Sequence, residues 1–64
     1  MTQKELSYVE DAVSHERILI QTLNDFVSKL EDDSLKDFIN SEINIHTSTK
    51  NDLMNLLEVK SNEW

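Results

Sequence analysis

Apolar residues in the first half of the chain recur alternately three and four positions apart. Leu6, Val9, Val13, Ile20, Leu23, Val27 and Leu30 follow this alternation, and Glu16 is the one polar residue on it. Such spacing puts side chains on one face of an α-helix. Ala12, Leu19 and Phe26 run beside it with a seven-residue spacing of their own. The stripe is therefore as wide as the apolar face of a bundle helix, not the narrow seam of a two-stranded coil. In the second half, Leu35, Ile39, Glu42, His46, Thr49, Leu53 and Leu56 repeat the alternation, and Phe38, Ile43 and Leu57 widen it.

Local signals place the ends of these helices. Thr2 followed by Glu5 is a Thr-x-x-Glu capping box. It opens a first helix over about residues 3–30, roughly 40 Å long. Glu31-Asp32-Asp33-Ser34 is the one plausible turn, because consecutive acids and a serine favour caps over helix interiors. Asp32 is the expected second N-cap, with Asp33 and Ser34 as alternatives. The turn is expected at about 31–33 and the second helix at about 33–59. Ser61 to Trp64 reads as a frayed tail, with Trp64 and Tyr8 as candidate anchors near the open end.

A short link between two long helices predicts an all-α antiparallel two-helix hairpin, one domain over 1–64. Sixty-four residues folded this way bury one flank of each helix, which is rarely enough for a stable domain without a staple or partner. There is no Cys, hence no disulfide and no thiolate metal site. Association of two hairpins into a four-helix bundle homodimer is the expected remedy.

The polar residues on the apolar stripes carry the candidate chemistry. If the turn lies near 32, residues that face each other have numbers summing to about 64, within one helical turn. Glu16 then falls close to His46 and Thr49, with Glu42 one turn from His46. One reading is a hydrogen-bonded buried polar layer of Glu16, His46 and Thr49 that sets the helix register. The other is a metal site for iron or zinc built on Glu16, Glu42 and His46, because inward carboxylates and histidines are the donor set of metal-binding bundles. A more exposed patch of Tyr8, Asp11, His15 and Ile18 is a candidate partner face.

Charge and composition narrow the function classes. Six Lys plus Arg against 13 Asp plus Glu give a net charge of −7, which opposes binding to nucleic acid or to an anionic membrane. No stretch approaches the roughly 20 apolar residues of a membrane span. The N-terminal Met-Thr-Gln-Lys-Glu lacks the apolar run of a signal peptide, so a cytoplasmic location is expected. The absence of Gly excludes a phosphate-cradling loop, and no nucleophile elbow is present, so no catalytic residue is assigned.

Three segments, Lys4-Glu-Leu-Ser-Tyr-Val-Glu-Asp-Ala-Val-Ser-His-Glu16, Asp32-Asp-Ser-Leu-Lys-Asp-Phe-Ile39 and His46 through Leu56, together resemble the spore coat protein F family, within the broader ferritin-like helical group. The resemblance implies a hairpin that builds a four-helix bundle and a structural role linked to the spore coat. It also implies that Glu16 and His46 correspond to the inward Glu and His of such sequences. Ferritin-like enzymes carry four helices in one chain and a full ligand set, whereas two helices and an irregular set are found here. The sequence therefore predicts a non-enzymatic structural or assembly protein, which the resemblance associates with sporulation. The alternatives are a ferritin-like metal-binding protein and an acidic adaptor for a protein partner.

Overall fold

The computed structural model describes residues 1–61. They form two helices, α1 (Gln3–Val27) and α2 (Asp33–Ser61), packed against each other as a hairpin 49 × 14 × 11 Å in extent. Asn62, Glu63 and Trp64 lie outside the described residues, and the expectations for Trp64 and the frayed tail lie there with them. Ser61 is helical, so α2 extends past the expected end at about 59.

The capping box opens α1. Thr2 Oγ1 accepts from the Glu5 amide at 3.0 Å, and a Glu5 carboxylate oxygen accepts from the Thr2 amide at 2.8 Å. Each side chain thus satisfies an amide that has no partner within the helix.

At the other end, α1 stops at Val27 although the apolar spacing continues to Leu30. The Lys29 amide donates to Phe26 O at 3.0 Å and the Leu30 amide to Val27 O at 3.3 Å, both three residues back. The Ser28 hydroxyl donates to Asp25 O at 2.6 Å. The last turn therefore tightens and unwinds while Leu30 stays half-buried. Spacing records where a side chain must go; it does not record the hydrogen-bond pattern of the backbone beneath it. The reversal accordingly occupies 28–32 and not 31–33, and Asp33 belongs to the first turn of α2. Asp32 caps α2: its Oδ1 accepts from the Leu35 amide at 2.9 Å, and its carbonyl accepts from the Lys36 amide at 3.0 Å.

Along α1, the positions 6, 9, 13, 16, 20, 23 and 27 all turn inward and are half-buried or better, as is Leu30 in the reversal that follows. In α2 the inward positions are set differently. Lys36, Ile39, Ile43, His46, Thr47, Lys50, Leu53 and Leu57 are half-buried, whereas Leu35, Thr49 and Leu56 are exposed. The second helix is thus rotated by part of a turn from the phase its leucines suggest. Lys36 and Lys50 are half-buried, a placement that long side chains tolerate because their methylene stems can cover apolar surface while the ammonium group reaches water.

Burial is shallow throughout. Val13, at 6% exposure, is the only buried side chain among the described residues whose burial is defined. Tyr8, Ile18, Phe38 and Val59 each remain 60% or more exposed.

Candidate functional site

On the packed seam between α1 and α2, Glu16 meets His46. Glu16 Oε2 is 2.7 Å from His46 Nδ1, and both side chains are partly buried, 20% and 27% exposed. A carboxylate can only accept, so His46 donates through Nδ1–H. On the far edge of the same ring, Glu42 Oε2 lies 3.7 Å from Nε2, one turn earlier on α2. That distance is an ion-pair separation and too long for a hydrogen bond. The result is a carboxylate–imidazole–carboxylate row with the ring in the middle.

The helices impose this row. Glu16 sits between Val13 and Ile20 on the inward stripe of α1, so its side chain is delivered to the seam. Glu42 and His46 are four apart on α2 and therefore share a face. Among the described residues, no buried side-chain nitrogen or oxygen is left without a hydrogen-bond partner.

Thr49 does not belong to the layer. It is exposed, and its hydroxyl donates to the Ile45 carbonyl of its own helix at 3.1 Å. The rotation of α2 described above explains this: the inward positions beyond His46 are Lys50 and Leu53. A threonine that faces outward satisfies its hydroxyl on the carbonyl four residues back.

The structure also bears on the metal reading. Glu16, Glu42 and His46 are brought together, but they do not converge on one point. The two carboxylates address different ring nitrogens, which point to opposite edges of the imidazole. An ion at Nε2 would have Glu42 beside it and Glu16 across the ring. Among the described residues, no group of three or more His, Asp or Glu side chains is placed to hold a metal ion. Among the described residues of one hairpin, Glu16, Glu42 and His46 are therefore not gathered as a mononuclear iron or zinc centre requires.

The candidate partner face is intact as a surface. Tyr8, Asp11, His15 and Ile18 are all exposed, at 60% for Tyr8 and 64% for Ile18. His15, Ile18, Leu19 and Thr22 line a shallow depression on α1. At the open end of the hairpin, Tyr8 and Val9 of α1 and Leu56 and Lys60 of α2 line a second groove. Across the hairpin from that groove, the Arg17 guanidinium reaches Met54 Sδ at 3.8 Å. Phe38, expected to widen the inward stripe of α2, instead faces outward with Ile45 and Val59, which the single stripe leaves out. The signal that marks them is a second three-and-four alternation on the same helix.

Among the described residues, no helix is long and apolar enough to cross a membrane. Compared with protein-family models, curated proteins and solved structures, the chain matches none of them.

Proposed function

We propose that this hairpin is a structural assembly protein whose working form is two hairpins joined as a four-helix bundle. The observation that supports the reading is the near absence of an interior. A hairpin in which Val13 alone of the described residues is buried, while many large apolar side chains are exposed, leaves out of water too little apolar surface to offset the entropy of ordering the chain. A second hairpin supplies the missing cover. The Glu16–His46 bond then acts as the register device within each hairpin. The association with the spore coat rests on the sequence resemblance and is part of the same proposal.

The test is native mass spectrometry of untagged protein purified without chelator. A dimer of unadorned mass is expected. A monomer that unfolds cooperatively at micromolar concentration would overturn the reading, since an obligate association makes stability depend on protein concentration. A dimer that carries iron or zinc and loses it on His46→Ala would replace the structural reading with the metal-binding one.

A further inference from the structure

We infer that the broad side of the hairpin carrying Tyr8, Leu19, Phe26, Phe38, Ile45 and Leu56 is the surface on which a second copy of this chain docks. The inference rests on the association reading above and goes beyond it by naming the face.

The two helices each carry a second apolar strip. On α1, positions 8, 12, 15, 19, 22 and 26 follow the three-and-four alternation. On α2, positions 35, 38, 42, 45, 49, 52, 56 and 59 do the same. Each strip lies about 100° around its helix from the packed seam, one residue step of a helix being 100°. Because the helices are antiparallel, both strips turn to the same side of the hairpin. The groove lined jointly by Tyr8 and Leu56 lies on that side. The opposite side is polar, and its grooves are lined by residues such as Glu10, Ser14, Arg17, Gln21 and Asn24. Of the large apolar side chains exposed in the described residues, only Ile18 and Met54 lie off the apolar side.

Three features favour a second copy as the occupant. The first is area. The chain exposes 4866 Å², about 600 Å² more than a compact monomer of its mass, and a standard interface takes about 800 Å² from each partner. The second is charge. The chain carries −7, yet of its 13 acids only Glu42 and Asp52 fall on these strips, with Glu5 at the end of the groove. This is the side on which two like-charged copies meet with least repulsion. The third is period. Both strips repeat at the spacing that lets ridges of one hairpin enter grooves of another in bundle geometry.

The experiment compares Ile45→Asp with Asn51→Asp by sedimentation equilibrium of the full chain. Ile45→Asp should weaken self-association about 30-fold or more, the scale of losing a hot-spot side chain, and Asn51→Asp should leave it unchanged. Folding of Ile45→Asp can be linked to association, so a second measurement uses neutral substitutions. The chain has no native Cys, so Ile45→Cys and Asn51→Cys each carry one thiol. Its alkylation rate is followed from low to high protein concentration. Slowing at position 45 and not at 51 supports the face. A dimer whose thiol at 45 stays as reactive as that at 51 overturns the proposed face and leaves the association reading standing. A folded monomer at all concentrations overturns the association reading itself.

Discussion

Glu16 and His46, thirty residues apart in the chain, meet at 2.7 Å on the seam between α1 and α2. Around them the seam is aliphatic, so a slip of one helical repeat would leave a carboxylate against Ile39 or Leu53. An ionisable group against hydrocarbon without a partner is costly, and the contact therefore favours one alignment of the two helices over its neighbours. Breaking it should cost about 1 kcal/mol in either single variant, Glu16→Ala or His46→Ala, a partly solvated hydrogen bond being worth about that much. A double-mutant cycle read by urea unfolding should return a coupling of about 0.5–1 kcal/mol. Thr49→Ala should show no coupling to Glu16, because its hydroxyl bonds within α2. Independent, additive effects of Glu16 and His46 would refute the contact.

The helix phase of α1 makes a separate prediction. Val13 is the most enclosed of the described side chains, whereas Gln21 is exposed on the polar side. Val13→Ala should cost about 2 kcal/mol through lost transfer energy and the cavity left behind. Gln21→Ala should stay within about 0.5 kcal/mol. Equal costs at the two positions, measured by thermal unfolding at one protein concentration, would place the seam elsewhere.

The start of α2 depends on one acid among three neighbours. Asp32→Ala removes the acceptor of the Leu35 amide and should cost about 1 kcal/mol. Asp33→Ala removes only a favourable charge in the first turn and should cost about 0.3–0.5 kcal/mol at low salt. A reversal of that order in chemical denaturation would move the cap by one residue.

Acid should loosen the start of α1. The Glu5 carboxyl is held below its ordinary value of 4.5, first by the Thr2 amide that it accepts from and then by the Thr2 side chain. The folded state thus binds this proton less readily than the unfolded state does. Stability from the box is fully present above the ordinary carboxylate value and is lost as pH falls through the lower, folded one. Amide hydrogen exchange at Glu5 and Leu6 should accelerate over that window relative to mid-helix amides, after correction for intrinsic rates. Thr2→Ala keeps the backbone amide and should only reduce the difference, whereas Glu5→Gln, which has no proton to take up, should abolish it.

Metal addition should do little to a single hairpin. A divalent ion at His46 Nε2 would have Glu42 beside it as the one nearby carboxylate among the described residues, and capturing Nδ1 would require displacing Glu16. Zinc or ferrous iron added in tenfold excess should shift the melting temperature by less than about 2 °C, since stabilisation by a ligand grows with concentration over Kd. A large shift that His46→Gln removes would show that the donors rearrange around an ion.

The contrast between the two helices shows what the sequence could convey. In α1 the inward positions are nearly all aliphatic, so apolar spacing and packing coincide from Leu6 to Leu30. That coincidence was enough to bring Glu16 and His46 together from spacing alone. In α2 the inward positions include Lys36, Thr47 and Lys50, while Leu35, Phe38 and Leu56 face away from α1. Hydrophobicity there records two surfaces at once, and a single stripe drawn through it takes Thr49 for an inward residue. The end of α1 was illegible for another reason: Leu30 is still half-buried after the backbone has left the helix.

The link between the helices also changes how the chain can vary. Among the described residues no backbone angle falls in the left-handed region, and the sequence has no Gly or Pro. The reversal at 28–32 is made by ordinary conformations and held by side-chain caps, of which Asp32 is the one that starts α2. Most side chains are sterically admissible at such positions. The link is thus free of backbone constraint, and its letters are held by side chains instead: Leu30 by its place on the seam, Ser28 by its hydroxyl bond and Asp32 by a single oxygen.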